Sequence, residues 1–97
     1  MLLEHLTVSR KTAKDGKLEI SEGAARELAG IAGGLVTVVD GERGAVRVER
    51  MACTCRGGAE AHYHYFVESE LYKALPAGGT VAIELAEGEP TVVVTRL

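Results

Sequence analysis

The sequence predicts a β-rich α+β domain, a small seven-stranded pseudobarrel built from two βαββ repeats with two short helices. Three observations predict it. Short runs of alternating Val, Leu and Ile recur along the chain, bounded by Gly-Gly, Asp-Gly or Gly-Glu turns. Two stretches led by Ser and ending in Leu interrupt these runs with helical character. The order strand, Ser-led helix, Gly-Gly, strand, Gly-Glu turn, strand then occurs twice, over 17–51 and 62–97, closing on Val48-Glu-Arg-Met51 and Val94-Thr-Arg-Leu97. Two such units close most naturally as a pseudo-two-fold barrel capped by helices.

At 97 residues the chain is one domain, 1–97. It has no Trp, one Phe and three Tyr, so its core is built from small aliphatic side chains, and at this size a cross-link or bound metal adds appreciably to stability. The formal charge of −3 argues against a wholly basic nucleic-acid binder but leaves room for a local basic stripe. No apolar run approaches the roughly 18 residues of a membrane span, and no leader pattern opens the chain, so the expectation is no membrane association and a cytoplasmic location.

In order along the chain, Leu2 to Ser9 alternates from Glu4 to Val8, a first strand with Leu6 and Val8 inward and His5 on the other face. Arg10 to Lys17 reads as a polar loop, with Arg10, Lys11, Lys14 and Lys17 against Asp15, and ends on the Asp15-Gly16 turn pair. Lys17-Leu-Glu-Ile20 is a short strand. Ser21 caps a helix through Glu22 to Gly30 whose apolar face is Ala24, Ala25 and Leu28. Leu35 to Val39 and a strand from Ala45 toward Cys55 form a hairpin around Asp40-Gly-Glu-Arg-Gly44. Val46 and Val48 share one parity while Met51, Cys53 and Cys55 share the other, which calls for a bulge near Glu49-Arg50. His62 to Glu68 is a strand with His62, His64 and Phe66 on one face and Tyr63, Tyr65 and Val67 on the other. Ser69 to Leu75 is a short capped helix stopped by Pro76, and Thr80–Ala86 with Thr91–Leu97 is the last hairpin.

The segment Arg10-Lys11-Thr-Ala-Lys-Asp-Gly16-Lys17-Leu-Glu-Ile20-Ser21, continuing through Arg26-Glu-Leu28-Ala-Gly30-Ile31, resembles the AbrB-like swapped-hairpin DNA-binding family. The Arg-Lys to Gly spacing is kept, Lys17 follows the glycine, and Arg26 and Leu28 are in step with the family's helix. Ser21 stands where Pro is usual, Ala25 where a second Arg is usual, and one residue is inserted before Gly30-Ile31. The resemblance covers about a third of the chain. It implies a βαββ unit whose basic loop contacts DNA phosphates, with Arg10, Lys11, Lys17 and Arg26 at the matching positions. The second half lacks the basic loop and would supply the partner unit within the same chain. With Lys14 from the same run, these five residues are the candidate nucleic-acid contacts.

The stretch from Cys53 to Phe66 holds both cysteines, two of the three histidines, two tyrosines and the phenylalanine. In a hairpin closed by 56–61, Cys55 faces His62 and Cys53 faces His64, so two thiolates and two imidazoles can converge on one ion. Mixed thiolate and imidazole ligation suits zinc, and four ligands fill a structural site. A Cys-x-Cys spacing on one strand is poorly placed for a disulfide. The alternative is buried cysteines with the histidines facing solvent. Tyr63, Tyr65 and Phe66 could stack bases, but in a core with so few large residues they are expected to pack inside. Glu60 and Glu68 are the nearby carboxylates and are expected on the surface. The expected function is a small non-enzymatic binding protein, regulatory and nucleic-acid-binding, with a structural zinc clasp on the central hairpin. A protein-interaction module, assembly subunit or homodimer is the competing class, and a zinc-dependent hydrolase the third.

Overall fold

The alternating runs form eight strands in two sheets. The computed structural model describes residues 1–31, 34–53, 62–86 and 88–97, with 53 and 62 described by their strand positions. The strands are β1 (Leu2–Thr7), β2 (Lys17–Ile20), β3 (Val36–Val39), β4 (Glu42–Ala45), β5 (Arg47–Cys53), β6 (His62–Glu68), β7 (Thr80–Leu85) and β8 (Thr91–Arg96). The helices are α1 (Arg10–Asp15) and α2 (Glu22–Ala29), and Glu70–Ala74 forms a 3₁₀ helix. One sheet has the order β1-β7-β8-β3-β4, and the other β2-β6-β5. Among the described residues, only β3 and β8 run parallel; the other pairs are antiparallel.

The α+β, strand-rich class matches the sequence reading, whereas closure into one seven-stranded barrel does not appear among the described residues. The eighth strand is β4: Glu42, Arg43 and Gly44, which read as part of the turn, pair with β3, so the turn shortens to Asp40-Gly41, and the chain leaves the first sheet after Ala45 to begin β5 in the second. The expected bulge near Glu49-Arg50 is not present, since pairing runs rung for rung from Arg47↔Glu68 to Cys53↔His62. The parity conflict is resolved differently: Val46 and Val48 pack against the core, and Met51 is left 45% exposed.

The core lies between the sheets and under α2. Leu18, Ile20 and Val67 face it from the smaller sheet, Val39, Val81, Ile83, Val92 and Val94 from the larger one, and Ala24, Ala25 and Leu28 from α2. Ser21 caps α2 by accepting from the Ala24 amide at 3.2 Å, and Glu22 sits favourably in the first turn. Asp40 and Gly41, at φ of 50° and 81°, make the tight turn between β3 and β4, with both central residues at positive φ as a two-residue hairpin loop requires.

The Arg10–Lys17 run, read as a loop, is mostly the helix α1. Thr12 explains the difference. Its side chain is buried, and its hydroxyl donates to the Lys17 carbonyl at 2.7 Å, tying the helix to the strand that follows. Gly16 ends the helix at φ 71° and its carbonyl accepts from the Ser69 amide at 2.9 Å. A short helix with an anchored threonine and a left-handed glycine cap carries few periodic apolar residues, so hydrophobic pattern does not announce it.

Candidate functional site

Strand alternation places Arg47, Glu49, Met51 and Cys53 of β5 on the same face as His62, His64, Phe66 and Glu68 of β6, and Lys17 and Glu19 of β2 join them. β2 pairs only residues 65–68 of β6. Beyond Ile20 the β5–β6 hairpin therefore continues as a two-stranded arm, with rungs Met51↔His64, Ala52↔Tyr63 and Cys53↔His62.

This register differs by two residues from the expected one, in which Cys53 faced His64. A two-residue slip leaves every side chain on its original face, so hydrophobic alternation cannot discriminate the two. Charge and packing do. The observed register sets Val48 against Val67 and Arg47 against Glu68, whose side chains pair at 2.6 Å, while Arg47 also reaches Glu49 at 2.8 Å. These carboxylates hold the Arg47 guanidinium above its ordinary pKa, with the Glu68 hydrogen bond the largest cause. Cys53 and His62 oppose one another, His64 follows on the same face, and Cys55 lies outside the described residues.

Among the residues whose side chains are described, which leave out Cys53, Cys55 and His62, no group of three or more His, Cys, Asp or Glu gathers around a common point. His64 Nδ1 lies 2.8 Å from Glu19 Oε2. The β2–β6 pairing brings this carboxylate in: Glu19 stands opposite Phe66, one alternate position from His64. A cleft lined by Glu19, Ser21, Glu22, Tyr63, His64 and Tyr65 opens beside it. Glu19 was not singled out from the sequence. Its outward parity on β2 is readable, but the pairing of β2 with a strand over 40 residues away is not.

The five basic candidates do not form one surface. Arg10 and Lys14, four residues apart on α1, share one face of the helix, are exposed, and have no acidic partner among the described residues. Lys11 lies over the Phe66 ring at 5.0 Å and Lys17 over the same ring at 6.0 Å. Lys17 also pairs with Glu49 at 3.2 Å. Arg26 pairs with Glu22 at 3.0 Å and lines a groove with Val48, Arg50 and Tyr65, on the opposite side of the sheet from Lys17. The resemblance groups Arg26 with the α1 residues, whereas the sheet separates them.

The aromatic expectation divides in the same way. Phe66 is 4% exposed, covered on the outer face by the two lysines, and Tyr65 is partly buried against the core. Tyr63 is 44% exposed, with the Arg50 guanidinium 4.4 Å from its ring centroid. The largest fully buried side chain is Tyr72, which the sequence reading left unassigned. No helix among the described residues is long and apolar enough to cross a membrane. No protein-family model matches the chain, and no curated protein matches it.

Proposed function

We propose that this is a small non-enzymatic binding protein whose β5–β6 arm is clasped by a structural zinc ion. The observation that carries the reading is the arm's register, which sets Cys53 opposite His62 with His64 next on the same face. Directly opposed strand residues hold their Cβ atoms about 4.5–5.5 Å apart, within reach of one ion at zinc–ligand distances near 2.0–2.3 Å. Cys55 is the fourth ligand the sequence offers. A site filled by four protein ligands leaves no position for substrate, which disfavours the hydrolase reading. The test is metal analysis of purified protein together with Cys53→Ser and His64→Ala. Equimolar zinc in the wild type that is lost in both variants supports the clasp; metal-free wild type of full thermal stability sinks it.

A second reading, nucleic-acid binding, is favoured by Arg10 and Lys14. They project from an anchored helix with no carboxylate paired to them among the described residues, so a phosphate would meet no internal competitor there. The ion-paired Lys17 and Arg26 are weaker candidates by the same argument. Retention on DNA should be measured at low salt, where phosphate-driven binding is strongest. Replacing Arg10 and Lys14 with Ala should reduce retention more than replacing Arg26. No retention at ~50 mM salt overturns this reading.

A further inference from the structure

We infer that Glu19 belongs to the metal site as the positioning carboxylate of His64, an inference that rests on the zinc reading above and adds a residue from outside the hairpin. Glu19 and His64 are 45 positions apart, yet Oε2 and Nδ1 stand at hydrogen-bond distance, 2.8 Å. An ionised carboxylate has no proton to donate, so the imidazole donates and Nδ1 carries the hydrogen. In the neutral ring this makes Nε2 the unprotonated nitrogen, the form in which histidine ligates a metal. Metal-bound histidines are commonly held this way, with the second nitrogen donating to a carboxylate that fixes the tautomer and raises the basicity of the ligating atom.

The local charges show that the contact is selective. Lys17 sits two residues from Glu19 on the same strand face, but it pairs with Glu49, while Arg47 pairs with Glu49 and Glu68. Glu19 is turned instead toward the arm. The adjoining cleft, lined by both residues of the pair, leaves them open to solvent. The result is a bridge from β2, in the body of the fold, to the arm.

Two measurements test this. Zinc affinity is read by competition with a chromophoric chelator, and the His64 tautomer by ¹⁵N NMR of the metal-free protein at a pH where the ring is neutral. Glu19→Ala should weaken zinc about 10–100-fold with stoichiometry retained, because the ligands themselves are untouched. Glu19→Gln, whose amide oxygen still accepts from Nδ1 without a charge, should fall between the two. The wild type should show the Nδ1–H tautomer, and Glu19→Ala should lose that bias. A wild type that binds zinc with the same affinity as Glu19→Ala overturns the role of Glu19 and leaves the clasp standing. A wild type that binds no more zinc than Cys53→Ser removes the clasp and the role of Glu19 with it.

Discussion

Tyr72 is completely buried, and its hydrogen bonding can be followed atom by atom. The Thr37 hydroxyl donates to the Val92 carbonyl at 2.8 Å, and it has one hydrogen, so at its 2.8 Å contact with Tyr72 it accepts from the phenol. Burial pushes the Tyr72 pKa up to about 12. Above the ordinary tyrosine value near 10, the unfolded chain gives up this proton while the folded chain keeps it. The stability it contributes is therefore intact below pH ~10 and lost as pH rises toward about 12, by roughly 2–3 kcal/mol. Denaturant titrations across that window should show the fall in the wild type and a smaller fall in Tyr72→Phe. Gly16 is the other residue on which packing turns. A Cβ there would lie 2.5 Å from the Ser69 carbonyl oxygen, at a φ of 71°. Gly16→Ala should cost about 2 kcal/mol or more, from the left-handed backbone and the clash together, seen as a lower urea midpoint.

Elements with their own local signals were legible in the sequence. The Ser21 cap and the Ala24, Ala25, Leu28 face gave α2 to within one residue, and alternation gave β2 and β6 with their bounds. Ser21→Ala should lower stability by about 1 kcal/mol, since the Ala24 amide loses its acceptor. A matching loss at Ser69 is expected to be smaller, because its bond to the Leu71 amide is longer, 3.3 Å, and caps a single 3₁₀ helix. Features that depend on distant partners were not legible. The strand state of 42–44, which read as turn, follows from their pairing with β3, and the helical state of Arg10–Asp15 follows from Thr12 and Ser69. The β5–β6 hairpin of the proposed clasp combined both kinds of information. Its face was readable by alternation, while its register waited on Arg47 meeting Glu68 and Val48 meeting Val67. The basic run was legible as composition, but only the fold shows that Lys17 is tied up by Glu49 and that Arg26 lies across the sheet from it, paired with Glu22.

For the molecule as a whole, the consequence of the proposed zinc depends on where its proposed ligands lie in sequence. The proposed ligands Cys53, Cys55, His62 and His64 span a short segment, so the unfolded chain would also retain affinity for the metal. A ligand stabilises the fold only by the amount it prefers the native state. That preference comes from the strand pairing that aligns Cys53 with His62, and from Glu19, which reaches His64 only when β2 and β6 are paired. With free zinc at about 1,000 times the dissociation constant, the stabilisation would be about 4 kcal/mol were the unfolded chain inert. Binding to the unfolded segment reduces it to an expected value of about 2 kcal/mol, a fall in melting temperature of roughly 10 °C on chelation. Melting measured before and after verified metal removal checks this, and an unchanged midpoint contradicts it. Glu19→Ala should shrink the chelation-sensitive part and leave the melting of the chelated protein near that of the chelated wild type, because the exposed carboxylate then contributes only a surface pair.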